Sequence, residues 1–127
     1  MTILAKKEMS EEDIKLQFIT PAILDKWDKN RITMETRITD GKICLNGTFV
    51  HRDKKSAKFA DYVLYWSSSF PIAIVEAKDN NHSVSFGLQQ AIAYAQMMDV
   101  PFVYSSNGDA FYEHDMLTGM EREIALD

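Results

Sequence analysis

The stretch Phe70–Asn80, FPIAIVEAKDN, points to the centre of a sheet. Pro71 to Val75 is an apolar run of strand length, and a strand apolar on both faces belongs in the middle of a sheet. Side chains alternate along a strand, so Ile72, Ile74, Glu76 and Lys78 project to one side. The run therefore ends on two opposite charges at the rim of a core, where an unpaired ion is costly. Either these charges pair with each other or something else compensates them.

Working outward, DYVLYW (61–66) is a second apolar, β-rich run, joined to the first by a Ser-rich turn. The two read as neighbouring antiparallel central strands. In such a hairpin the start of one strand lies beside the end of the other, which brings Asp61 to Glu76. Carboxylates held together raise each other's pKa unless a cation sits between them. An all-oxygen donor set favours magnesium or manganese over zinc. The pair plus one backbone carbonyl, with that of Ala77 as the candidate, is a sufficient protein share for an ion that keeps several waters. Lys78 could orient or deprotonate one of those waters, the layout of metal-assisted phosphodiester hydrolysis. Asp followed by Glu-x-Lys is a weak pattern alone, since a surface ion pair worth under ~1 kcal/mol would also produce it. Its weight comes from its place at the ends of apolar strands.

The flanks complete an α/β pattern. Ser10 and Asp13 form a capping-box variant, and Ile14, Phe18, Ile23, Leu24 and Trp27 make an apolar helical stripe to about residue 28. Thr20-Pro21 interrupts it, predicting a kink or a restart with Thr20 as cap. ITMETRI (32–38) alternates as a half-exposed strand, Asp40-Gly41 signals a turn, and 42–50 supplies another short strand. Residues 84–98 have helical spacing, with Leu88, Ala91, Ile92, Ala95 and Met98 on one stripe. Gln90 and Tyr94, spaced i, i+4, share an adjoining face that can lean over the strand ends. PFVYS (101–105) is a buried strand closed by the hairpin signal Asn107-Gly108, and AFYEH and MEREIAL give two more short strands around a Thr-Gly turn. The whole reads as one domain over residues 1–127: a mixed central sheet flanked by helices, with an αβββαβ core and a small C-terminal β-extension.

Bulk properties narrow the function classes. Nineteen acidic against fourteen basic residues give a net charge of −5, which argues against gripping nucleic acid by broad phosphate neutralisation. The segment HRDKKSAK (51–58) is a local exception, readable as a solvated loop or as a phosphate contact. A lone Cys44 excludes an internal disulfide and suits a reducing cytoplasm. No apolar run approaches the ~20 residues that span a bilayer, and the N-terminus lacks a signal peptide's apolar core.

Asp61, Glu76-Ala77-Lys78 and Gln90-x-x-x-Tyr94, in this order and on these elements, resemble the PD-(D/E)xK nuclease superfamily with the Gln-x-x-x-Tyr motif of its RecB-like branch. More closely, the stretches EEDIKLQFITPAILDKW, KFADYVLYW, PIAIVEAK, GLQQAIAYA and PFVYSSNGDAFYEHD are similar to the N-terminal nuclease domain of the restriction subunit of type I restriction-modification enzymes. The likeness covers residues 10–115 and implies a restriction-endonuclease-like fold. It implies that Asp61 and Glu76 bind Mg2+ (Mn2+ as substitute), that Lys78 is catalytic, and that Gln90 and Tyr94 position DNA or the carboxylates. It also implies an acidic residue on the first helix, Glu11 or else Glu12. A carboxylate favoured there only by the helix dipole is the plain alternative. Ala60-Asp61 stands where the superfamily name has Pro-Asp. The implied partners are double-stranded DNA and the specificity and methylation subunits, with no membrane. ATP would serve only a translocase, and the chain holds no GxxxxGK[ST]. The expectation is a fragment of a larger subunit that binds DNA weakly by itself. A non-catalytic DNA-binding or assembly module and a RecB-like repair nuclease or junction resolvase are the alternatives.

Overall fold

The architecture follows from a sheet whose central strands are apolar on both faces. The computed structural model describes residues 4–38, 58–67 and 70–126. Six strands lie side by side in chain order: β1 (Ile32–Ile38), β2 (Lys58–Ser67), β3 (Phe70–Ala77), β4 (Phe102–Ser106), β5 (Ala110–Asp115) and β6 (Glu121–Ala125). All neighbours are antiparallel except β3 and β4. That parallel pair needs a crossover, which is the helix Leu88–Met98, called α3 below. The expected mixed sheet is present, and β5 and β6 form the β-extension, turning at Thr118-Gly119 where Gly119 takes φ +79°.

Each face of the sheet has its own core. Ala73, Val75 and Ala77 of β3 pack with Ile14, Ile19, Ile23 and Tyr62 on one face. Ile74 packs with Leu88, Ala91, Tyr94, Ala95 and Val103 on the other. The alternation from Ala73 to Ala77 is thus used twice, which is why the run carries no polar residue before Glu76. Ile72, expected on the side of Ile74, packs with the first face instead, beside a register shift in the β2–β3 pairing.

The first face is covered by one continuous helical run. It comprises α1 (Glu11–Ile14), a π-helical turn (Lys15–Ile19) and α2 (Thr20–Lys26). Ser10 caps it as expected: its hydroxyl accepts from the Asp13 N–H at 3.1 Å, and the Asp13 carboxylate accepts from the Ser10 N–H at 3.3 Å. Pro21 sits in the first turn of α2, but Thr20 is not its cap. Thr20 is helical, and its hydroxyl shares a 2.7 Å hydrogen bond with the Tyr62 hydroxyl. The chain meets the proline by widening instead of restarting. The Thr20 N–H reaches back five residues to the Lys15 carbonyl, a π turn placed just before the residue that has no N–H to give. Leu24, assigned to the buried stripe, is 47% exposed.

Two further boundaries differ. Helix α3 starts at Leu88, four residues after the expected 84, because 84–87 form a turn. Gly87 ends that turn with its N–H donated to the Ser105 hydroxyl at 2.9 Å. Strand β2 starts at Lys58, so Asp61 is its fourth residue and not its first. The strand expected over 42–50, and the basic segment apart from Lys58, lie outside the described residues.

Candidate active site

Strand register places the two acids together. Tyr62 stands opposite Val75, so the next pair outward is Asp61 and Glu76, at the last turn of the ladder before β3 ends at Ala77. The acids lock onto each other's backbone. The Asp61 N–H donates to Glu76 Oε2 at 2.9 Å, and the Ala77 N–H donates to Asp61 Oδ2 at 2.7 Å. Both side chains are buried, Asp61 at 8% exposure and Glu76 at 3%.

The row continues across the sheet. Between the pairs Met34–Tyr62 and Thr36–Ala60, Glu35 of β1 falls opposite Asp61, and on the far side Glu76 stands opposite Ser105. Sequence reasoning missed Glu35, which an alternating strand would leave as an ordinary outward residue. It takes φ +50°, a left-handed conformation that costs a non-glycine residue energy. It also missed Lys15, only 2% exposed. The Lys15 ammonium lies 2.8 Å from Glu35 Oε2, 3.1 Å from Glu12 Oε1 and 3.4 Å from Asp61 Oδ1. Ile14 and Ile19 are both fully buried at a spacing of five, which fits a π turn and not the three or four of an α-helix.

Lys78 does not neutralise Glu76 by direct pairing. Among the described residues, Glu76 and Lys78 form no ion pair. The Lys78 backbone N–H extends the sheet by donating to the Ser106 carbonyl at 2.9 Å. Its ammonium instead donates to Gln90 Oε1 at 3.3 Å, and Gln90 Nε2 donates to the Tyr94 hydroxyl at 2.7 Å. Gln90, Tyr94 and Lys78 therefore form one chain of contacts from α3 to the end of β3. Tyr94 also belongs to the core, at 5% exposure. Gly87 lets α3 come this close: a Cβ there would lie 3.1 Å from Ser105 Oγ, 3.3 Å from Glu76 Cβ and 3.4 Å from Lys78 Cε.

Electrostatics mark the pair as short of positive charge. Burial, and then the Asp61 charge, push the Glu76 carboxyl up to about 8. Burial also raises Asp61, against the opposing effects of the Ala77 N–H and Lys15. Glu11 is raised by burial and by Asp61, which places its charge within reach of the site. Glu12 turns to Lys15 instead. Glu35 is held below the usual carboxylate range by its hydrogen bond from Lys15. Lys15 is raised above the ordinary lysine range, the Glu35 hydrogen bond and the Asp61 charge outweighing desolvation.

These donors fit a hard divalent cation. Two buried oxygen ligands that cannot both ionise comfortably gain most from a charge placed between them. Among the described residues, no group of three or more His, Cys, Asp or Glu is arranged to hold a metal. The protein's share would thus be the Asp61 and Glu76 carboxylates with the Ala77 carbonyl. An apolar cavity of about 340 Å³ lies elsewhere. It opens on the face covered by α2 and is lined by apolar groups such as Ile23, Trp27, Ile72 and Phe111, with no carboxylate to support chemistry.

The chain also has relatives among known proteins. Residues 33–100 match the family described as the second domain of the type I restriction enzyme EcoKI endonuclease subunit. The chain is 38% identical, over its whole length, to the type I restriction enzyme EcoAI endonuclease subunit of Escherichia coli, of which it spans 16%. It also resembles the fragment structure of an HsdR subunit of a type I restriction enzyme from Vibrio vulnificus YJ016. The TM-score is 0.71 and the identity 32%, covering 91% of this chain and 23% of that one.

Proposed function

The chain belongs to the endonuclease-subunit family of type I restriction enzymes, and from that premise we propose that it is a metal-dependent nuclease module that cuts double-stranded DNA by phosphodiester hydrolysis. The observation that carries the reading is the interlocked Asp61–Glu76 pair, buried, short of positive charge and flanked by Lys78. We read this pair with Lys78 as a PD-(D/E)xK arrangement.

Asp61 and Glu76, with the Ala77 carbonyl, would hold Mg2+, or Mn2+ in its place. Bound there, such an ion would supply Lewis-acid charge for the phosphoryl oxygens and would lower the pKa of water at the site. The chain's own residues do the remaining work. Lys78 Nζ, steadied by Gln90, stands where it can orient the attacking water and balance charge building on the phosphate. Tyr94 fixes Gln90 from the core, so the lysine is aimed by a rigid helix. Glu11 lends a further carboxylate at the rim.

The chain spans about a sixth of the E. coli relative's length. We place it as the nuclease part of a larger cytoplasmic subunit that acts with specificity and methylation subunits, ATP being used by a translocase elsewhere in that protein. The test is plasmid cleavage by the full-length subunit in its assembly, with the parent compared with Asp61→Ala. Loss of Mg2+-dependent cleavage in the variant supports the reading, and cleavage at the parent's rate refutes it.

A further inference from the structure

Lys15 is a buried cation that the proposed chemistry does not use. Its ammonium is almost wholly out of water and touches three carboxylates from three elements: Glu12 of α1, Glu35 of β1 and Asp61 of β2. Two local distortions converge on it. The π turn that begins at Lys15 sets its place on the helical run, and the positive φ of Glu35 turns that carboxylate to meet it at 2.8 Å. Such distortions cost energy and concentrate at functional sites. Asp61 is shared: Oδ1 faces Lys15, while Oδ2 accepts from the Ala77 N–H on the side of Glu76.

A carboxylate shared between two cation positions is the plan of two-metal hydrolases, whose ions sit ~3.5–4 Å apart. Here one of those positions is taken by an ammonium. The three oxygens stand at 2.8–3.4 Å from its nitrogen, distances suited to N–H···O contacts and too long for a divalent ion, whose oxygen ligands sit at roughly 2.0–2.6 Å. We propose that Lys15 is a positioning residue that acts as the site's built-in second cation, holding Asp61 in place so that a single divalent ion suffices. This deepens the nuclease reading and rests on it.

The test is the shift in melting temperature on adding Mn2+ to EDTA-treated protein, measured on the full chain as parent, Lys15→Met, Lys15→Arg and Lys15→Met/Glu35→Gln. Lys15→Met keeps the volume and removes the charge, leaving Glu12, Glu35 and Asp61 uncompensated. Glu12 and Glu35 are mostly solvent-exposed, so they are free to close on an ion that replaces the ammonium. Lys15→Met should melt lower than the parent in EDTA and be raised by Mn2+ more than the parent is. That excess should vanish when Glu35→Gln is added, and Lys15→Arg should behave as the parent. If Lys15→Met is unfolded in EDTA, Mn2+ should restore the fold. A lysine that only packs would give no such excess. An Mn2+ shift in Lys15→Met no larger than the parent's, or an unfolded variant that Mn2+ leaves unfolded, overturns the proposal. The parent's own shift reports on the nuclease reading separately. A parent that ignores Mn2+ beside a responsive Lys15→Met would remove the metal from that reading and overturn the single-ion role of Lys15 with it, whereas a responsive parent beside an unresponsive Lys15→Met overturns the Lys15 role alone.

Discussion

At Glu76, a carboxyl that ordinarily gives up its proton near pH 4.5 keeps it to about 8, because burial and Asp61 both oppose the charged form. A group whose folded-state pKa is raised contributes stability that is complete below its unfolded value and is lost as pH rises through the folded one. The metal-free domain should therefore weaken between about pH 4.5 and 8, with a slope from this group of at most about 1.4 kcal/mol per pH unit. Asp61 and Glu11, also shifted upward, act in the same sense, while Glu35, held low by Lys15, opposes them. Glu76→Gln keeps the shape, can still accept from the Asp61 N–H and has nothing to ionise. Urea unfolding across that range should show a flatter pH profile and a higher stability at pH 8 for the variant than for the parent. Equal profiles would show that Glu76 is ionised without cost. Saturating Mg2+ should flatten the parent's profile too, by binding the ionised pair.

Helix α3 is tied to the site at its first turn, and there the tolerance for change is smallest. Gly87 has an ordinary negative φ of −85°, so alanine is not strained by its backbone. The added methyl would instead press on Ser105, Glu76 and Lys78 at 3.1–3.4 Å. Displacing those groups by even a fraction of an ångström should lower cleavage by roughly 10–100-fold for Gly87→Ala, well beyond any loss of stability read by thermal melting. Unchanged cleavage would mean that the close approach of α3 is not needed. At the other end of the helix, Asp99 closes the last turn at φ +61°. Glycine adopts that conformation freely, so Asp99→Gly should add about 0.5 kcal/mol in urea unfolding and leave cleavage alone.

The same elements show why some of the molecule could be read from its sequence and some could not. Strands β2 and β3 announce themselves because burial on both faces demands continuous apolar runs. The hairpin between them then forces Asp61 beside Glu76. Gln90 and Tyr94 follow from helical spacing. The lysine's partner does not, because i, i+2 parity on β3 suggests Glu76 while the fold supplies Gln90 from α3. Lys15 and Glu35 were hidden for a shared reason. Each sits where the backbone departs from the regular period, one in a π turn and one at a positive φ. Patterns built on 3.6 or 2 residues per repeat place both on the solvent side.

On the scale of the whole molecule, both faces of the sheet reach the site. One face, under α1 and α2, is core and an apolar groove, and its helical run also sends Lys15 to Asp61. The other, under α3, carries the packed helix whose first turns meet the ends of β3 and β4. A net charge of −5 gives the domain little long-range attraction for DNA, so the proposed cutting module would rely on the rest of its subunit to hold the substrate. Most of the length of the relatives lies outside the part this chain matches. In the proposed mechanism the Asp61–Glu76 pair binds a metal and Lys78 turns this binding into cleavage. It is tested most directly by measuring Mg2+-dependent plasmid cleavage for the parent and Lys78→Ala in the full-length subunit, with the Mg2+-induced rise in melting temperature measured on both. The expected result is a loss of cleavage of order 10²–10⁴-fold with the Mg2+ response retained. Lys78→Ala cleaving at the parent's rate would contradict it.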